Sequence, residues 1–202
     1  MIFVLFTDIW LVGDSLIARA EGWAGAVNRS NLNLDQSCFT VQWLGFRGMQ
    51  WHHLRSKVQW ISLHAKPRMI IVHVGGNNVV WTKMQKMKRI MRRDFQYIFE
   101  IFPDTMVVWS EILPRLCWKF APVNSSKTCW DRKRVRFNQL GRQMVSLNPN
   151  GRILKHDITA DCPGLFHSDG CHLSDVGNAL FCNSFQAAIE FFLTSDKLVF
   201  GP

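Results

Sequence analysis

No apolar run in the 202 residues approaches the roughly 18 residues of a membrane span, and the opening MIFVLF is broken at once by Thr7 and Asp8. No transmembrane segment is expected. The same opening residues lack the ordered basic stretch, apolar core and small-residue cleavage site of a secretory signal, so export is not expected and an intracellular, cytoplasmic location is. Acidic residues are scarce: 15 Asp and Glu face 24 Lys and Arg, giving a net charge of +9, which favours acidic partners and says nothing of fold. The six cysteines (Cys38, Cys117, Cys129, Cys162, Cys171 and Cys182) are few for this length and show no paired spacing. They are read as reduced core or surface thiols rather than as a disulfide framework.

What is abundant is apolar residues, 48% of the chain, enough for one domain over residues 1–202 with a core that needs no covalent staples. Short apolar runs fall at 8–13, 38–44, 69–75, 106–112 and 152–157, and the segments 15–30, 48–64, 81–101, 130–147 and 175–193 space their apolar residues by three and four. Strand alternating with helix predicts an α/β domain with a parallel sheet of about five strands. Runs such as MIIVHV (69–74) are apolar on both alternating sets, as in strands covered on both faces, so the expectation is a three-layer α/β/α sandwich.

Ligands of such sheets bind beyond the carboxyl ends of the strands, where strand order reverses. Glycine and polar residues gather at those exits: GDS (13–15), GFRGM (45–49), GGNN (75–78) and, before the last helix, HSDGCHLSD (167–175). Alone, Gly-Asp-Ser is weak evidence of chemistry, because Asp14 or Ser15 is also a good helix N-cap. A nucleophilic serine needs a base and a group to orient that base. Asp169 and His172, three apart just before a helix, supply both, and the amides of Ser15 and Gly48 with the side chain of Asn77 are candidate oxyanion donors.

These four stretches resemble, in order and over nearly the whole chain, the blocks of the SGNH hydrolases, the GDSL-type esterases and lipases. The resemblance assigns the nucleophile to Ser15 in GDSL, an oxyanion glycine to Gly48 in FRGMQW, with Gly45 the competing choice, an oxyanion asparagine to Asn77 in VGGNN, and the acid and base to Asp169 and His172 in DGCHLSDVG. One residue departs from the pattern: Asn78 stands where the family's third block usually carries aspartate. The implied fold has the flavodoxin-like strand order. The implied reaction is ester hydrolysis through an acyl-enzyme, with no metal or organic cofactor, on a small-molecule, lipid or carbohydrate ester. No lid insertion lies between the blocks, which points to short acyl groups such as acetyl. The stretches WSEILPR and GLFHSDGCHLSDVGN are similar to vertebrate retrotransposon-related members of the superfamily.

WSEILPRLCWKF (109–120) follows the fourth strand and reaches the same rim, making Glu111, Arg115 and Trp118 candidates for the substrate entrance; its aromatics also suit plain packing. Lys83, Lys86, Lys88, Arg89, Arg92 and Arg93 share one helix with Met84, Met87, Ile90 and Met91, and DRKRVR (131–136) adds a second basic cluster. Such faces are usually solvated; the alternative is contact with nucleic acid or an anionic surface. A fold that kept these faces and lost turnover, a binding module, is the second function class. Cys162, His167, Cys171 and His172 lack the spacing of common zinc sites. His52, His53 and His64 are read as surface or packing residues, His73 as a satisfied core histidine, and Ser174 or Asp175 as the cap of the last helix. Asn138 and Arg142 carry no assigned role.

Overall fold

The structure is a computed structural model that describes residues 7–63 and 66–202; the MIFVLF segment and His64 lie outside the described residues. Six strands, β1 (Thr7–Gly13), β2 (Phe39–Gly45), β3 (Met69–His73), β4 (Met106–Ser110), β5 (Gly151–Leu154) and β6 (Val199–Phe200), form one sheet in the order β2-β1-β3-β4-β5-β6. Every neighbouring pair is parallel. The expected strands are all present, and the added β6 is a two-residue edge strand hydrogen-bonded to β5.

Among the described residues, five α-helices cover the sheet: α1 (Ser15–Ala26), α2 (Leu54–Ser62), α3 (Met84–Ile101), α4 (Lys127–Val145) and α5 (Asp175–Thr194). The strand pleat splits the core in two. Ile9, Leu11, Met69, Ile71, Val108 and Leu154 pack with the inner faces of α1 and α5. Trp10, Val12, Ile70, Val72, Val107, Trp109 and Ile153 face the other way, toward α2, α3 and α4. All five residues of β3 are buried, which is why MIIVH has no polar alternation. The result is the three-layer sandwich with a flavodoxin-like strand order.

Helix boundaries differ from the expectation where side chains compete with the backbone. α1 ends at Ala26 rather than near 30, and Asn28, Leu32 and Asn33 take left-handed backbone angles in the turns that follow. Asn31 pins this segment: its amide nitrogen donates to the carbonyls of Leu34 and Phe39, and its oxygen accepts from the Val41 amide. The helix expected over 48–64 begins as a 3₁₀ turn at Trp51–His53 and becomes α-helical at Leu54. On α3 the basic side chains are exposed and Met87, Ile90 and Met91 are buried, as the periodicity requires.

The chain passes from β1 outward to β2 and then back across to β3, so the exits of β1 and β3 flank the point where strand order reverses. The site is built there.

Candidate functional site

Ser15 is the first residue of α1, and the preceding Asp14 is the cap: its Oδ1 accepts the Leu16 amide at 3.0 Å. The Ser15 hydroxyl is therefore not spent on capping. Its Oγ lies 3.0 Å from Nε2 of His172. On the other side of the ring, Nδ1 of His172 lies 2.6 Å from Oδ2 of Asp169. Asp169 Oδ1 also accepts the backbone amides of Cys171 and His172, each at 2.9 Å, so the carboxylate sits in a turn of its own making. Its partial burial alone would raise its pKa; the hydrogen bonds from the His172 amide and ring and the Cys171 amide outweigh that and hold the carboxyl well below the usual carboxylate range. Lys119 Nζ adds a contact at 3.4 Å.

The turn carrying Asp169 and His172 is held at both ends. His167 and His172 are joined by the His167 amide donating to the His172 carbonyl at 2.8 Å, and Leu173 forms a bridge with Phe166. Of the two candidate caps of α5, Ser174 does the work: its Oγ accepts the Gly177 amide at 3.1 Å while donating to the Gly164 carbonyl.

Ser15, Gly48, Gly76, Asn77, Arg115, Trp118, Cys171 and His172 line one cleft of about 350 Å³. The two candidate glycines are separated by their surroundings. A Cβ on Gly45 would stand 2.4 Å from the Ala18 amide nitrogen, so that position serves the close approach of β2 and α1. Gly48 has a positive φ of 73° and open space around it, with its backbone on the cleft. Asn77 Nδ2 donates to the Met49 carbonyl at 3.0 Å, which ties it to the Gly48 loop and leaves its second amide hydrogen. The backbone amides of Ser15 and Gly48 make no hydrogen bond within the described residues. At the mouth, exposed Trp81 and Phe120 tilt against one another at 6.1 Å, with Phe120 at a positive φ of 63°.

Asn78, the residue that departs from the family pattern, faces away from the cleft and is buried. Its Oδ1 accepts the Trp51 amide at 2.8 Å and its Nδ2 donates to Thr82 Oγ1 at 3.0 Å. It thus fastens the end of the Gly48 loop, a task that needs an acceptor and, toward Thr82, a donor.

Of the expected rim residues, Arg115 and Trp118 line this cleft and Glu111 does not. Glu111 turns to a second cleft, where Arg142 Nε lies 2.9 Å from its Oε1. Desolvation raises its pKa, against the lowering fields of Arg142, Lys155 and Arg134. Asn138 and Arg142, which the sequence left without a role, fix the strand-4 exit: Asn138 accepts the Ile112 amide at 2.8 Å and donates to the Ile112 carbonyl at 3.1 Å. A buried asparagine in the apolar stripe of α4 was the available signal.

His73 is buried and hydrogen-bonded, Nδ1 lying 2.9 Å from Ser110 Oγ. The chain continues through Ser110 Oγ to His156 Nε2 at 2.7 Å and from His156 Nδ1 to Ser184 Oγ at 2.6 Å. His53 Nδ1 accepts the Gln50 amide and the His52 ring lies tilted against its ring. Cys162 is exposed and Cys171 buried, and both ring nitrogens of His172 are engaged by Ser15 and Asp169. Among the described residues, no three His, Cys, Asp or Glu side chains are grouped to hold a metal ion, and no helix is long and apolar enough to cross a membrane.

No protein-family model matches the chain. It is 28% identical over 144 residues to the platelet-activating factor acetylhydrolase IB subunit alpha1 of Pongo abelii, covering 66% of this chain. The matched region is 56% of that relative, so the chain spans about half the length of the curated relatives it matches. Among solved structures, the esterase EstA from Pseudoalteromonas sp. superposes with a TM-score of 0.68 at 18% identity, covering 94% of this chain and 100% of that one. A GDSL-like lipase from Bacteroides thetaiotaomicron superposes with a TM-score of 0.67 at 11% identity, covering 91% and 88%. Such structural likeness speaks for the fold, and the fold of this chain is that of the SGNH, or GDSL-type, esterases and acylhydrolases.

Proposed function

We propose that the chain is a serine esterase that hydrolyses short-chain carboxylic esters, acetyl esters foremost. The observation that carries the reading is the hydrogen-bonded chain from Ser15 through His172 to Asp169, 3.0 and 2.6 Å, opening on a cleft with free backbone donors. In this reading His172 Nε2 takes the Ser15 proton as Oγ attacks the ester carbonyl. Asp169, kept ionised by its amide donors, holds the ring so that Nδ1 bears a proton, and stabilises the imidazolium that forms. The oxyanion rests on the amides of Ser15 and Gly48 and on Asn77 Nδ2, where donors fixed in advance cost no reorganisation. The imidazolium then protonates the leaving alcohol, and water attacks the acyl-Ser15 by the same base.

Two things support the acetyl preference. The cleft is small, about 350 Å³, and the alcohol of the ester must share it with the acyl group. The curated relative carries the name of an acetylhydrolase. The test is hydrolysis of aryl acetate, butyrate and octanoate by the wild type, Ser15→Ala and His172→Ala. Turnover falling with chain length and absent from both variants is the expected result. Equal inactivity of all three proteins on every ester overturns the reading.

A further inference from the structure

The cleft beside Ser15 holds a buried guanidinium with too few acceptors. Arg115 is only 5% exposed. Its five N–H donors find Asn77 Oδ1 at 3.4 and 3.5 Å, the far limit of a hydrogen bond, and Asp14 Oδ2 at 4.0 Å. Its remaining partner is the ring of Trp118, whose centroid lies 5.3 Å away. Gly76 makes room for this placement, since a Cβ there would stand 2.5 Å from Nη2. A buried cation is costly unless it is paired and closely hydrogen-bonded, and a planar guanidinium is satisfied best by two oxygens of one anion.

The rest of the lining has the same sign. Arg19, Arg47 and Lys119 border the cleft with Arg115, and among the described residues no Asp or Glu lines it. Of the two nearest carboxylates, Asp14 gives Oδ1 to the Leu16 amide and leaves Oδ2 4.0 Å from Arg115 as a counter-charge without a hydrogen bond, and Asp169 is held by His172 and two backbone amides. Lys119 reaches Asp169, whereas Arg19 and Arg47 are exposed and form no ion pair among the described residues. Arg19 stands four residues beyond Ser15 on α1, one turn along the same face. Trp81 and Phe120 add apolar surface at the mouth.

We propose that the ester hydrolysed here carries a negative charge, a carboxylate or phosphate on its alcohol portion, which Arg115 binds in the cleft while Arg19 and Arg47 draw it in. This rests on the esterase reading. An acetyl group has no place for a charge, so the anion belongs to the alcohol. Clustered cations raise the local concentration of such a substrate, and short charged hydrogen bonds complete the Arg115 donor set.

The test compares 4-acetoxybenzoate and 4-acetoxyphenyl phosphate with their neutral counterpart 4-acetoxybenzamide, on the wild type, Arg115→Gln, Arg115→Lys and Arg47→Gln. Charged hydrogen bonds predict that the wild type prefers the better anionic ester by about 10- to 100-fold in kcat/KM. Whichever of the two gives the larger preference names the group. Arg115→Gln should lose most of that preference, Arg115→Lys should keep part of the attraction without the fork, and Arg47→Gln should lower it and its salt dependence. A wild type indifferent to charge overturns the proposal and leaves the esterase reading standing. So does an Arg115→Gln that slows all three esters equally, since that is the signature of Arg115 merely positioning Asn77. Calorimetry with phenyl phosphate and benzoate, which contain no scissile ester, separates the two readings. Binding to the wild type and not to folded Arg115→Gln, without turnover of any ester, sustains the anion site and removes the esterase; no binding with no turnover removes both.

Discussion

The Asp14 carboxylate accepts the Leu16 amide at 3.0 Å, and that bond frees Ser15, one residue on, from the duty of capping α1. The same carboxylate stands 4.0 Å from Arg115 through its other oxygen. Asp14→Ala should cost roughly 1–2 kcal/mol from the lost cap, and more because Arg115 loses its counter-charge. In a chain of this length that is a fall in Tm of about 2–4 °C per kcal/mol. Asp14→Asn retains the cap acceptor and should recover most of the cap's share in a thermal melt; equal losses in the two variants would place the cost elsewhere.

Asp169→Asn tests the orienting role directly. The amide keeps the shape of the carboxylate but presents a donor or a neutral oxygen to His172 Nδ1, so the ring loses its fixed tautomer. A fall in kcat on the order of 10³- to 10⁴-fold with a small change in KM is expected, together with some loss of stability, because the amide oxygen of Asn accepts the Cys171 and His172 amides less strongly than the carboxylate does. Since its hydrogen bonds keep the carboxyl ionised well below the usual range, the acid limb of the wild-type pH–rate profile above about pH 4 should not come from Asp169. A tenfold or smaller loss in kcat would remove it from the reaction.

Much of this was legible because two periodicities and four short motifs are local properties. The apolar run of β3 and the three-and-four spacing of α3 follow from which side chains can be buried, so the layers came directly from pattern. The Asp169 to His172 spacing is a turn, and the turn forms as spaced. What pattern could not resolve were choices made by tertiary neighbours. Gly45 and Gly48 look alike in sequence, and only the approach of Ala18 separates them. Glu111 follows β4 closely enough to seem a rim residue, yet Arg142 and Asn138 from α4 draw it into another cleft. The two-residue β6 carries too little sequence to announce a strand.

The buried His73–Ser110–His156–Ser184 chain makes stability depend on acid. Burial lowers the His73 pKa to about 4, with Asp14 opposing and Arg115 adding to the shift, and burial together with His73 pushes His156 well below its ordinary value. A depressed histidine pKa means the unfolded chain binds protons that the folded one refuses. Stability should therefore be full above about pH 7 and decline as pH falls from the unfolded value near 6.5 toward 4. For His73 alone the loss is roughly 3 kcal/mol, with His156 adding to it. Urea unfolding at pH 7.5, 6.0 and 4.5 reads this out, and a flat midpoint across that range would contradict it.

Two helical glycines give opposite expectations for the same substitution. Gly22 lies on the exposed side of α1, and a Cβ there would meet nothing within 4 Å. Gly22→Ala should stabilise the chain by about 0.5–1 kcal/mol, through helix propensity and a less flexible unfolded state. Gly141 lies on the buried face of α4, where a Cβ would stand 2.3 Å from Cε2 of Trp109, itself wholly buried on β4. Propensity favours alanine there by the same amount, but an indole locked between Trp51 and Phe95 has nowhere to retreat. Overpacking of this kind costs about 1–3 kcal/mol, which exceeds the propensity gain, so Gly141→Ala should lower Tm while Gly22→Ala raises it. Trp109 sits one residue before Ser110 and the strand exit that leads to Arg115, so the displaced indole should also weaken turnover of anionic esters. If both variants melt above the wild type, α4 and β4 are packed less closely than this contact requires.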